Sequence, residues 1–417
     1  GYGNALYVAH PNGFSTVYGH LQSFTPEVAA WVKTQQYAKQ SFEVDLFPPG
    51  GRFSFKKGEQ IAKSGNSGGS GGPHLHFEIR DSKTEETINP ALFGLPVADS
   101  KKPSIAHLYA EPISAGTSIS GKTSAKEIAL TNLGNGVYTG NLSANGIIGL
   151  VLHTFDQQDL STNHNGIFKI DVFVNDTPTY NFTIDRFAFS ETRYVNAHMD
   201  FARYKTNKQL AHKCFVEVGN KLPNYSNLVN RGLITLKADS KKQITLVVTD
   251  SWNNKSEIKI SATGEAANAT ISAEESKMDW KSDHTIKVDG VKIHIPGGTL
   301  YKDENISLST KAACAKCETS IYSIGNKTIP AQNRMTLSIH KDQLSKKEKL
   351  VWAAMNGNGN GSGLTTKWDG DWLIAHPKEF GDYAIMEDKA APTINVSNFA
   401  NGKIVKSELD YVKTFFV

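Results

Sequence analysis

Cysteine is scarce. The 417-residue chain carries three, Cys214, Cys314 and Cys317, too few for a disulfide scaffold and odd in number, so at least one thiol is unpaired. Cys314 and Cys317 form a lone Cys-x-x-Cys with no second pair and no helical pattern after it. That argues against a zinc ribbon or a thioredoxin-type motif and leaves a hairpin disulfide or two idle thiols. Apolar runs are also short. None approaches the ~18 residues that a membrane-crossing helix needs, so no transmembrane segment is expected. Charge of one sign is missing too: 45 Lys and Arg against 41 Asp and Glu leave a net charge of +4. The basic residues are scattered, which gives no footprint for nucleic acid.

What the chain has is turn-forming and strand-forming residues. Its 35 Gly, 20 Phe and 14 Tyr, with many Asn-Gly and Asp-Gly pairs, predict a mostly β protein. The length allows two to four domains at roughly 100–200 residues each. We expect a β-sheet domain over 1–98, an Ig-like β-sandwich over 99–264, a polar linker over 265–276, a second β-sandwich-like domain over 277–390, and the start of a further truncated β-domain over 391–417. The chain opens at Gly1-Tyr2-Gly3-Asn4 without Met and closes on an apolar strand pattern, Leu409 to Val417. It is therefore expected to be an internal fragment, so a missing signal peptide says nothing about export of the parent protein.

Residues 1–98 are the most informative. Ala5–His10 and Ser15–Leu21 predict a hairpin joined by Pro11-Asn12-Gly13. Thr25-Pro26 opens a short amphipathic helix running to about Gln40. Phe42–Phe47 alternates as a strand, and Gln60–Ser64 predicts another. A glycine loop, Gly65-Asn66-Ser67-Gly68-Gly69-Ser70-Gly71-Gly72-Pro73, then leads into His74-Leu75-His76-Phe77-Glu78-Ile79-Arg80. Read as one strand, this segment turns Leu75, Phe77 and Ile79 to the core, and His74, His76 and Glu78 to the opposite face. The loop lacks the Gly-Lys-Ser/Thr ending of a phosphate loop, so nucleotide binding is not expected. Two imidazoles on one strand face suit a metal such as zinc, although paired strand histidines are also common as packing residues.

On Gly1-Tyr2-Gly3-Asn4, His10-Pro11-Asn12-Gly13-Phe14-Ser15-Thr16-Val17-Tyr18-Gly19-His20-Leu21, Lys57-Gly58-Glu59-Gln60-Ile61-Ala62, Gly65 to Arg80 and Asn89-Pro90, in that order and spacing, residues 1 to about 97 resemble the lysostaphin-type zinc endopeptidases. These are duplicated-hybrid-motif enzymes that cleave peptide bonds in bacterial peptidoglycan. The resemblance implies Zn2+ as cofactor, His76 as a zinc ligand, and His20 and His74 as catalytic residues flanking the attacking water and the scissile carbonyl. One would help remove the water's proton; the other would stabilise the developing oxyanion or protonate the leaving amine. His10 takes no metal role in the pattern and is expected to be structural, as are His153, His164 and the later histidines.

The family's other two zinc ligands, a His and an Asp, precede the Gly-Tyr-Gly-Asn segment and are absent here. The fragment is therefore expected to bind metal weakly and to be inactive, and its parent is expected to be an enzyme. The expected partner is a peptidoglycan stem or cross-link, at the cell envelope, periplasmic or secreted. The glycine loop is expected to lie close to an extended peptide substrate, and the insertion Thr25–Gly51 to wall one side of its groove. A non-catalytic envelope protein that binds peptidoglycan or activates a partner hydrolase is the alternative, and a purely adhesive β-protein a third. Tyr194–Leu236, with Arg203, Lys205, Lys208 and Lys213, is expected to be a solvated face rather than a polymer-binding one.

Overall fold

The computed structural model describes residues 1–267, 277–344 and 349–389. The chain divides into two compact units, Gly1–Ala273 and Glu274–Val417. Strands dominate both, as expected, in several sheets that form β-sandwich-like domains. The segment 391–417, with the Pro392-Thr393-Ile394 strand start, and most of the expected linker lie outside the described residues. Glu265, the linker's expected first residue, is held against the sandwich: its carboxylate accepts from Ser118 Oγ at 2.6 Å and Ser143 Oγ at 2.9 Å.

In the first unit, β1 (Leu6–Ala9) and β2 (Phe14–Gly19) form the expected hairpin, with Leu6 opposite Tyr18 and Ala9 opposite Ser15. After β3 (Leu21–Phe24) comes α1 (Pro26–Lys39), which starts on proline, where a missing N–H costs nothing. Then follow β4 (Ala62–Ser64), paired with β3, and β5 (His76–Asp81), paired antiparallel with β2 so that His76 faces Gly19. β6 (Thr87–Ile88) extends the sheet, and its fifth strand, Arg186–Phe187, arrives from inside the following sandwich segment. Val17, Ile79 and Ile88 are the buried residues of this sheet's core.

Two local expectations fail. α1 forms, but Val28 is its one buried residue and Tyr37 is 76% exposed. Phe42–Phe47 forms no strand, and Phe47 is 92% exposed. The alternation there has no neighbouring strand to pair with, and Pro48-Pro49 removes two backbone donors directly after it; an unpaired strand does not persist in water.

The sandwich is organised by one 19-residue strand, Val137–Phe155. Its first part runs parallel to Lys255–Gly264 and its last part antiparallel to Ser104–Pro112. Between them Gly146 takes φ +97°, and an added Cβ would fall 2.6 Å from Thr117 Oγ1, so the turn from one partner to the other requires glycine here. Alternate residues of these strands and of Lys241–Thr249, which pairs with Lys255–Gly264, fill one core, among them Leu150, Leu152, Leu246, Val248, Ile258 and Ile260. In the second unit two five-stranded sheets enclose Trp352, which is fully buried and donates Nε1–H to Leu373 O at 2.9 Å. Cys314 and Cys317 form a disulfide, while Cys214 is free and buried.

The segment Tyr194–Leu236 is not a solvated face. Phe215, Val216, Leu222 and Ile234 are buried. Arg203 pairs with Asp200 at 2.6 Å and lies 3.7 Å over the Tyr109 ring, and Lys213 pairs with Glu217 at 2.6 Å. Arg203 and Lys213 thus answer internal carboxylates, whereas Lys205 and Lys208 lie over the rings of Phe201 and Tyr204. Deep in this region His198 Nε2 meets His212 Nδ1 at 2.8 Å, and His198 Nδ1 meets Tyr225 Oη at 3.0 Å.

Burial pushes His212 down to about 4 and His198 well below the ordinary 6.5, with His153 acting on the first, and His212 and Lys213 on the second. The unfolded chain takes up these protons near 6.5 and the folded chain resists them, so between about 6.5 and 4 the unfolded state binds more protons. Stability should therefore rise with pH in that window and be lost as pH falls through it. Urea midpoints measured from pH 7 to pH 4 should show this slope, and His212→Gln should flatten it. An equal slope in the variant would mean that His212 is not held neutral by burial.

Candidate functional site

His20 stands between β2 and β3 with φ +55°, a left-handed conformation that costs a side-chain-bearing residue about 1–3 kcal/mol. Surrounding contacts hold it there. Its N–H donates to Tyr2 O at 2.8 Å, the next N–H, of Leu21, donates to Asn4 O at 3.0 Å, and its own carbonyl accepts from Ser67 N at 3.4 Å. The ring is buried, and its Nδ1 lies 2.8 Å from Ser67 O. A carbonyl only accepts, so Nδ1 carries the hydrogen and Nε2 carries the lone pair.

The glycine loop packs first of all against its own chain. Gly68 has φ +72°, and a Cβ there would lie 2.3 Å from Gly3 N. The Gly1–Asn4 segment and the loop thus fit backbone to backbone, with Ser67 Oγ accepting from Asn4 N at 2.9 Å and donating to Leu21 O at 2.8 Å. Gly71 and Gly72 border open space.

His74 and Leu75 belong to the loop's exit, not to the strand. His74 bridges Gly65, β5 begins at His76, and Leu75 is 49% exposed rather than in the core. The alternation misleads because the pleat that defines two faces exists only once β5 pairs with β2. His74 Nδ1 lies 2.8 Å from Gly72 O, which makes Nδ1 the protonated nitrogen here as well.

His76 is placed by a carboxylate. Its Nε2 lies 2.6 Å from Glu78 Oε1, which also accepts from Tyr2 Oη at 2.5 Å. Glu78 Oε2 accepts from Arg80 Nε at 2.7 Å, and the Arg80 guanidinium also donates to Tyr2 Oη at 3.2 Å. Burial works to raise the Glu78 carboxyl, but the bonds from Arg80, Tyr2 and His76 outweigh it and hold the group below its usual range. Burial and the neighbouring carboxylate push the Tyr2 hydroxyl up to about 12. Glu78 is therefore an anion, His76 Nε2 carries the hydrogen, and Nδ1 offers the lone pair.

The three expected site residues come together. The His20 ring centroid is 4.8 Å from that of His74 and 5.6 Å from that of His76. His20 Nε2, His74 Nε2 and His76 Nδ1 have no hydrogen-bond partner among the described residues. The three rings do not supply one nitrogen each within 4.8 Å of one another, the grouping expected of three ligands on one ion. His10 is tied to Thr16 Oγ1 at 2.8 Å, and His153 and His164 stack on His107 and Phe155 in the sandwich. Beside the site a cavity of about 490 Å³ is lined by Tyr18, Leu21, Ile61, Ala62, Ser64 and Leu75 among others, and by no residue of Thr25–Gly51.

Fold and site define a β protein whose first sheet presents an anchored cluster of three histidines. Over 99 residues, 24% of its length, the chain is 30% identical to the DD-carboxypeptidase/endopeptidase Mpg of Neisseria meningitidis serogroup B (strain ATCC 13091 / M2091) and, to the same extent, to that of Neisseria gonorrhoeae (strain ATCC 700825 / FA 1090). The match spans 17% of those proteins. Residues 275–388 match the Zu5-like domain family. No helix among the described residues is long and apolar enough to cross a membrane.

Sequence reasoning put Glu78 on the histidine face but missed its task, and it gave no role to Tyr2, Ser67 or Arg80. The signal was there in part: His76, Glu78 and Arg80 sit at every second position, so they share a face. Glu78→Ala should leave the buried Arg80 with just the exposed Glu85 carboxylate, 3.5 Å away, and cost about 3–5 kcal/mol in urea unfolding. It should also release the His76 tautomer, read in long-range 1H–15N spectra. An unchanged His76 pattern would show that Glu78 does not set that ring.

Proposed function

We propose that residues 1–98 are the C-terminal part of a lysostaphin-type catalytic domain and that the chain belongs to a zinc-dependent endopeptidase that hydrolyses peptide bonds in peptidoglycan. We place that enzyme at the cell envelope, periplasmic or secreted, with Ig-like modules following the peptidase part. The observation that carries this reading is the convergence of His20, His74 and His76, each with one nitrogen anchored and the other free. The identity to proteins named DD-carboxypeptidase/endopeptidase supports a peptidoglycan-directed hydrolase.

The residues fit a metal in one respect in particular. An imidazole that gives one N–H to a buried carboxylate and keeps the other nitrogen free is the usual ligand arrangement of catalytic zinc sites. His76 with Glu78 has that form. Zinc supplies polarisation of the scissile carbonyl and acidifies water from a pKa of about 15.7 to about 7. His76 would hold the ion through Nδ1, while Glu78 and Arg80 keep its ring from turning. The lone pair on His20 Nε2 or His74 Nε2 would take a proton from the attacking water, and the imidazolium so formed would pass that proton to the departing amine. His20 is fixed for this by its buried, strained position, and His74, more exposed, meets the substrate from the loop side.

The test uses the protein with its preceding segment, incubated with purified sacculi. His20→Ala and His74→Ala should each lower the release of cleaved cross-links by about 10²–10⁴-fold with zinc content unchanged, whereas His76→Ala should lose zinc. Assayed alone, the 417 residues should hold zinc weakly and leave sacculi intact, since the resemblance places just one ligand, His76, within them. Digestion that survives a chelator, or full activity in both His20→Ala and His74→Ala, would overturn the mechanism. Tight sacculus binding without cleavage would favour the non-catalytic role.

A further inference from the structure

We propose that Asp99, Asp156 and Asp250 form a binding site for a hard divalent cation, calcium by preference, at one end of the first sandwich, and that the ion ties the segment entering the sandwich to two strand ends. The inference is independent of the peptidase reading. Asp156 directly follows the strand Val137–Phe155, Asp250 directly follows Lys241–Thr249, and Asp99 lies in the stretch leading to Ser104–Pro112. One carboxylate oxygen from each lies within 4.8 Å of the other two. Asp156 and Asp250 are each 2% exposed.

Three carboxylates in one small volume need a counter-charge, and no ion pair supplies it. Among the described residues no Lys or Arg forms an ion pair with any of the three. The nearest ammonium acting on them, that of Lys101, is turned to Ser161 O at 3.2 Å. Asp250 is satisfied by Trp252 N, Asn254 N and Asn254 Nδ2 at 2.7–2.8 Å. The other two are not. Asp156 Oδ1 and Asp99 Oδ2 are buried with no hydrogen-bond partner, although Asp99 Oδ1 accepts from Lys101 N at 3.1 Å. A buried carboxylate oxygen without a donor is costly, and two in one cluster call for a shared partner. Burial, with Asp250 and Asp99 adding their repulsion, pushes the Asp156 carboxyl up to about 6.

The donor set selects the ion. Carboxylate oxygens are hard ligands and suit calcium or magnesium rather than the imidazole- and thiolate-loving metals. Calcium takes oxygen ligands in flexible geometry, whereas magnesium demands a near-ideal octahedron, so three carboxylates gathered from separate segments favour calcium. The position suggests what it does: Asp99 O already accepts from Asn254 Nδ2 at 3.2 Å, and Asn89 Nδ2 donates to Ser251 Oγ at 3.2 Å. The segment leaving the histidine-bearing sheet is thus pinned to the turn after Asp250, and a cation would complete that junction.

The full chain, stripped with chelator, should bind one Ca2+ in isothermal titration and show a Tm that climbs with calcium concentration. Asp156→Asn should abolish both effects and raise the Tm of the metal-free protein, because one charge of the repelling set is gone. Should that variant not fold, the half-exposed Asp99→Asn decides, and it should weaken binding at least about tenfold. Absence of heat and of a Tm shift in folded wild-type chain at about 10 mM calcium, above the about 0.1–1 mM range of extracellular modules, would overturn the site. So would an unchanged affinity in Asp99→Asn.

Discussion

The carboxylate of Glu78 holds the candidate site together. It is buried, and its neighbours are the Arg80 guanidinium, the Tyr2 hydroxyl and the His76 imidazole. A buried anion is tolerated when its lone pairs are taken, and here three donors take them. Each donor is thereby positioned. Tyr2, from the start of the chain, is bound to the central strand of the sheet, and His76 is fixed in one tautomer. The Arg80 guanidinium, held between Tyr7 and Phe189, links the sheet to a residue of the neighbouring segment. Sheet edge, site and junction therefore share one electrostatic centre.

Strain at His20 depends on the same arrangement. A left-handed histidine would relax if its surroundings allowed it, and what prevents this is the fit of Gly1–Asn4 between the end of β2 and the glycine loop. That fit depends on Gly3 and Gly68, whose backbones approach more closely than any Cβ permits. Tyr2 sits in the middle of this segment and is bound to Glu78. The anchor of His76 is thus also part of the brace for His20, which explains how rings from two separate elements reach one place.

Much of this was legible, and the losses have physical causes. Hairpin, helix start and the histidine strand follow from periodicity and turn chemistry, which are local. Phe42–Phe47 has the period of a strand without a partner, and pairing is not a local property. Leu75 has the right parity for the core but lies before the pairing begins. Arg203 and Lys213 read as part of a solvated face because their carboxylate partners, Asp200 and Glu217, are as ordinary in sequence as any surface acid. The positive φ of His20 is set by contacts with Tyr2, Asn4 and Ser67, and no residue type at position 20 announces it. The grouping of Asp99, Asp156 and Asp250 is invisible in sequence because three different segments supply it.

Glu78 and the aspartate cluster of the first unit make an instructive contrast. At Glu78 each negative oxygen meets donors from the protein, and the group acts by orienting what it binds. At Asp99, Asp156 and Asp250 the donors serve mainly one of three carboxylates, and two oxygens are left over. Desolvation penalises both clusters alike, so burial alone does not separate a structural anion from a ligand-binding one. What separates them is how the donor count compares with the lone-pair count. Balance makes Glu78 a positioning group for His76. Imbalance marks the aspartate cluster as a place where the fold is electrostatically unfinished without a cation.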